Sequence, residues 1–100
     1  MAELDPRLNA FREDLAAAGL RGLVKAGRYV EGETRRVARG MVDLRRRPGH
    51  DQPLDSQLLF GEEVALYEEK DGWAWVQNKS DRYVGYVECG TLSEEAGEAS

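Results

Sequence analysis

One hundred residues with a net charge of −5 and a hydrophobic share of 41% allow one small core and exclude a general nucleic-acid binder, whose phosphate partners demand a basic surface. No run approaches the roughly 20 apolar residues that cross a bilayer as a helix, so neither nucleic acid nor membrane is an expected partner. A lone cysteine, Cys89, forbids an intramolecular disulfide, and residues 1–6 lack the basic and apolar regions of a secretion signal, which makes the cytoplasm the expected location.

The first 22 residues differ in character from the rest of the chain. Residues 9–18 collect strong helix formers and Gly19 supplies a stop, which predicts a short helix there. Phe11, Leu15 and Ala18 fall at i, i+4 and i+7, a narrow stripe suited to lying on a larger body. Residues 23–30 read as a first strand, 31–33 as a turn and 36–44 as the next strand. A polar excursion over 45–56, holding Pro48, Gly49 and Pro53, reads as a long loop. Strands over 63–68 and 73–77 flank Asp71-Gly72, a strong hairpin signal. Residues 78–81 turn the chain into a strand over 83–87. Residues 93–100 are small, acidic and patternless, the composition of a disordered tail or linker. The expected organisation is an N-terminal extension with a short helix over 1–22, a barrel over 23–92 and a tail over 93–100.

Few residues invite chemistry. Cys89 and His50 are the materials of a cysteine hydrolase, yet Cys89 follows a strand with no helix start to lower its pKa. His50 sits beside Gly49 with no residue to orient it. One Cys and one His do not fill a zinc site, and Asp51, Asp55 and Asp81 lack the dense oxygen-ligand loop of a calcium site. No catalytic residue, metal or cofactor is therefore expected. Arg35, Arg36, Arg39, Arg45, Arg46 and Arg47 concentrate positive charge mid-chain. They suit a solvated strand edge that resists edge-to-edge association; a docking patch for an acidic ligand or neighbouring domain is the alternative.

The aromatics say more. A period of two puts Trp73 and Trp75 on one strand face and Ala74 with Val76 on the other. Two tryptophans need a cover, from the N-terminal segment through Phe11 or Leu15, or from a partner or second copy of the chain. Tyr83 and Tyr86 leave opposite faces, one for the core and one free to meet a ligand.

Four phrases recur in order: Asp43-Leu44-Arg45-Arg46-Arg47-Pro48-Gly49, Leu58-Leu59-Phe60-Gly61-Glu62-Glu63-Val64, Gly72-Trp73-Ala74-Trp75-Val76 and Tyr83-Val84-Gly85-Tyr86-Val87. Over residues 5–92 the chain resembles the N-terminal bacterial SH3 domain of NlpC-type cysteine peptidases, the dipeptidyl-peptidase VI or γ-D-glutamyl-L-diamino acid endopeptidase family. The resemblance implies a mainly β fold, a small SH3-like barrel of five to seven strands. It also implies a murein peptide with a free amino end as ligand, and a cysteine peptidase domain in cis or in trans as partner. By the family's pattern the ligand-binding residues are Asp55, just before the Leu-Phe-Gly phrase, and Tyr83, in a Tyr-Pro-Gly-Trp-like phrase; Trp73 joins them. Val84 and Tyr86 replace the proline and tryptophan of that phrase. The family's nucleophile, in an Asp-Cys-Ser-Gly context, has no counterpart here, so the chain is expected to bind without cutting. The alternative is a protein–protein adaptor or dimerisation module using the Trp73/Trp75 face.

Overall fold

Alternating small or branched apolar residues build the central strands and decide which face each side chain takes. The computed structural model describes residue 5 and residues 7–93. It contains β1 (Leu15–Ala17), β2 (Arg28–Val30), β3 (Glu33–Arg36), β4 (Met41–Arg45), β5 (Leu54–Leu59), β6 (Glu63–Lys70), β7 (Trp73–Asn78) and β8 (Val84–Glu88). Six of these form one antiparallel sheet in the order β3-β6-β7-β8-β4-β5. In β7, Ala74 and Val76 face inward and join Leu44, Leu58, Val64 and Val87 in a dry core. The β6–β7 hairpin turns at Asp71 and Gly72, with φ of 55° and 83°. Positive φ at both central residues is the type I′ turn, whose twist matches that of paired strands. At Gly85 a Cβ would stand 2.6 Å from the Arg45 carbonyl oxygen and 2.7 Å from Leu44 Cγ. Only glycine lets β8 run this close to β4.

The curled sheet is closed by the chain beyond β8. Val37 bridges Leu92, Ala38 N–H donates to the Thr91 carbonyl at 2.8 Å, and Ser93 N–H donates to the Arg36 carbonyl at 2.8 Å. On its other side Val37 donates to the Glu62 carbonyl and accepts from Gly61 N–H, both at 2.9 Å. Residues 36–38 therefore have the entrance to β6 on one flank and the chain's late segment on the other. The result is a mainly β, SH3-like barrel.

Four expectations need correction, the first being the loop expected over 45–56, whose ends are strand: Arg45 closes β4 and β5 begins at Leu54. The helix over 9–18 is absent: β1 pairs in parallel with β2, and Phe11 bridges Ala16. A tight reversal at 12–15, with Arg12 N–H donating to the Leu15 carbonyl at 2.8 Å and Ala17 N–H to the Ala10 carbonyl at 2.9 Å, buries Ala10, Leu15 and Ala16 together. Burial against the barrel outweighs a helix propensity worth at most roughly 0.7 kcal/mol per residue. The strand expected over 36–44 is two strands, β3 and β4, interrupted at residues 37–40. Residues 23–27 are not strand; apart from an isolated bridge of Val24 to Arg21, pairing begins at Arg28–Val30, and Leu23 is exposed. The β1–β2 sheet thus joins residues on both sides of the boundary expected at residue 22. The tail expected over 93–100 lies, Ser93 apart, outside the described residues.

Candidate ligand groove

The outward face of β7 carries Trp75, and an apolar surface of that size must be covered or must bind something. The strap over residues 7–30 covers it. Ala10 and Leu15 pack with Trp75 and Val84 in a second core, flanked by Ala17, Val30, Tyr67 and Tyr86. Trp75 is left 3% exposed, with the Tyr67 and Tyr86 rings at 5.7 and 6.4 Å. Two hydrogen bonds fix the start of the strap: Val84 N–H donates to the Arg7 carbonyl at 2.7 Å, and buried Gln77 donates through Nε2 to the Leu8 carbonyl at 3.0 Å.

Arg12 ties the strap to the sheet. Its guanidinium lies 4.5 Å over the Trp75 ring, a cation–π contact made stronger by partial burial. Nη1 donates to Glu68 Oε1 at 2.7 Å and to the Tyr86 hydroxyl at 3.1 Å, while Nε and Nη2 both reach Asp14 at 2.9 Å. The hydrogen bond from Arg12 holds the Glu68 carboxyl below its ordinary pKa, and Glu68 in turn raises that of Arg12.

Arg12 and Tyr86 together form a bar between two lobes of one groove. The first lobe, about 380 Å³, is lined by Asp5, Arg7, Phe11, Arg46, Asp55, Trp75, Val84 and Gly85 beside the bar. The second, also about 380 Å³, is lined by Asp14, Pro48, Glu68, Lys70, Asp71 and Trp73. Asp55 stands in the first lobe, its side chain 5% exposed and gripped by Arg46 at 2.9 Å. Trp73 stands in the second lobe, half-buried, with the His50 ring 5.2 Å away. Tyr83 lines neither lobe; it packs against the barrel core, and its N–H donates to Asp81 Oδ1 at 3.1 Å. The tyrosine at the groove is Tyr86. The structure therefore brings Asp55 and Trp73 into neighbouring lobes and leaves Tyr83 apart. Arg7 and Arg12 give no local signal as groove residues: Arg12 and its partner Glu68 are 56 positions apart. The only pointer in the sequence is that the tryptophan face needs a cover, and Leu15 provides it.

Elsewhere the chemistry is quiet. His50 Nε2 meets Glu88 Oε2 at 3.1 Å, and burial, followed by the nearby Glu69, pushes the Cys89 thiol up, away from the thiolate a nucleophile needs. Among the described residues no group of three or more His, Cys, Asp or Glu is arranged to hold a metal, and no helix is long and apolar enough to cross a membrane. The arginines are divided among separate partners: Arg36 with Glu63 at 3.0 Å, Arg45 with Asp43 at 3.1 Å, and Arg46 with Asp55.

The sequence model of the bacterial dipeptidyl-peptidase SH3 domain matches residues 44–92, from within β4 to the bridge that closes the barrel. Residues 44–92 are thus similar to that family over just under half of the chain. Comparison with curated proteins and with solved structures found no match. The bacterial SH3 domain is a non-catalytic module, and here it supplies Arg46, Asp55, Trp73 and Tyr86 to the groove. Arg7 and Arg12 come from the strap, outside the matched segment.

Proposed function

We propose that this SH3-like barrel recognises or positions short murein peptides for an NlpC-type cysteine peptidase domain, in cis or in trans. The observation that carries the reading is the two-lobed groove at the seam of SH3 segment and strap, where Trp73 and Tyr86 offer aromatic surface beside the charged walls of Arg46 and Asp55. Aromatic rings with a few fixed polar groups are what orient a small, charged peptide. Titrating L-alanyl-γ-D-glutamyl-diaminopimelate into isotope-labelled protein tests it. Amide shifts centred on Asp55, Trp73 and Tyr86 are the expected result; an unmoved spectrum at millimolar peptide would sink the proposal.

A protein-contact role has one supporting observation, though it is not at the tryptophan face, where the strap covers Trp75. Met41 and Leu59 are cross-strand partners, and with the adjacent Phe60, 71% exposed, they leave apolar side chains in water. Sedimentation of the wild type and of Phe60→Ser tests this second reading. Self-association lost in the variant supports it, and a monomer at all concentrations in both removes the self-association form of it.

A further inference from the structure

The first lobe holds three guanidinium groups, from Arg7, Arg12 and Arg46, against two carboxylates, from Asp5 and Asp55. Both carboxylates are already engaged. Asp55 accepts from Arg46 Nη2 at 2.9 Å and Nε at 3.5 Å. Asp5 accepts from the Arg7 backbone N–H at 2.9 Å and from Arg7 Nη2 at 3.3 Å. The guanidiniums, by contrast, keep donors to spare. Arg7 and Arg46 have side chains 55% and 51% exposed, and among the described residues no hydrogen bond involves Nη1 of either. The two cations also lie near enough for Arg46 to oppose the charge on Arg7, a repulsion that an anion between them would relieve. Phe11, Val84 and Trp75 supply apolar surface in the same lobe.

From this we infer that the first lobe reads a carboxylate of its ligand, taken by Arg7 and Arg46, with the ligand's carbon chain on Phe11 and Val84. The planar fork of a guanidinium matches a carboxylate in geometry and charge. A ligand ammonium meets less favourable ground in this lobe: both carboxylates already face an arginine, Asp5 beside Arg7 and the nearly buried Asp55 beneath the half-exposed Arg46. The inference deepens the murein-peptide reading and rests on the groove assigned there. It names the recognised group as the free carboxylate of a γ-linked glutamyl unit, which such peptides carry along their length, in place of the amino end.

N-acetyl-D-glutamate, which has carboxylates and no amine, is the probe, with its diamide as control. The acid is expected to shift the Val84, Gly85 and Tyr86 amides in a saturable way, and the diamide to leave them unmoved. Arg46→Gln is expected to weaken binding at least roughly tenfold, the loss of a charge-assisted hydrogen bond. Because that change also strands Asp55, Arg7→Gln serves as a second variant whose pair lies in the open, and Arg47→Gln, outside the lobe, should bind as wild type. Equal binding of the diamide, no shift with the acid, or indifference to both Arg7→Gln and Arg46→Gln overturns the inference. If the murein tripeptide binds while the acid does not, the carboxylate assignment falls and the peptide reading stands. If the acid binds and the tripeptide does not, the peptide reading falls and the carboxylate site stands.

Discussion

Leu44, Val64, Val76 and Val87 meet inside the barrel as apolar groups without exposed surface, whereas under the strap Leu15 and Ala10 share their core with a guanidinium that caps Trp75 and bonds Glu68 and Tyr86. One region is closed by burial, a six-stranded antiparallel sheet and the bridge of Val37 to Leu92. The other is closed by a short β1–β2 pair, a few backbone contacts and one ion-paired arginine. The contrast implies separate cooperative units, with the strap opening at lower free energy than the barrel beneath it. It also means that the groove, formed where the two meet, depends on the weaker unit for Arg7 and Arg12.

The harshest way to break the contrast is to hollow the barrel. Leu44→Ala should cost about 2–5 kcal/mol, read as a lower urea midpoint, with strap and barrel signals lost together. A strap that stays protected from hydrogen exchange in the unfolded variant would refute this dependence. Next in size, Arg12→Gln removes charge-assisted bonds to Glu68 and Asp14 and should loosen the strap by about 2 kcal/mol. Amide exchange at Ala17 and Val84, whose partners lie in the strap, should rise, while exchange at Val76 stays slow. A uniform rise across the barrel would mean that the two units are one.

Acid sharpens the same comparison. The folded-state pKa of Glu68 is depressed below its ordinary 4.5, chiefly by the hydrogen bond from Arg12. Its contribution is therefore complete above pH 4.5 and is lost as pH falls through the lower folded value. The Trp75 indole resonance should move in that window before the barrel melts, and Glu68→Gln should remove the step. The smallest expected effect is confined to a turn. Gly72→Ala, at φ 83°, should cost about 1 kcal/mol in barrel stability measured by urea, with no change in strap exchange beyond that shared loss.

These differences also explain how much of the molecule is legible in its sequence. β6 and β8 announce themselves because one face is dry and the other partly wet, β7 because small core-facing residues alternate with larger ones on the strap-covered face, and Asp71-Gly72 marks the hairpin between β6 and β7. β5 carries a weak signal because only Leu58 points inward, while Leu54 and Leu59 face water. The first part of the strap reads as helix because 9–18 has helical composition, while its true partners are β2, later in the strap, and the Trp75 face, distant in sequence. The shared face of Trp73 and Trp75 is legible, and so is the need to cover it. That Arg12 does much of the covering is not, since an exposed-looking arginine carries no local signature of the ring on which it will lie.

The bridge between Val37 and Leu92 has a consequence in time. The barrel's inner residues are all translated before Leu92, yet until residues 91–93 arrive the backbone of 36–38 lacks its partners on one flank. During synthesis the sheet must therefore wait, curled but unlatched, with its apolar interior reachable from one side. Contacts of such wide sequence separation slow folding, so the domain becomes safe from misassociation only once its own closing segment, residues 91–93, has left the ribosome and docked on residues 36–38.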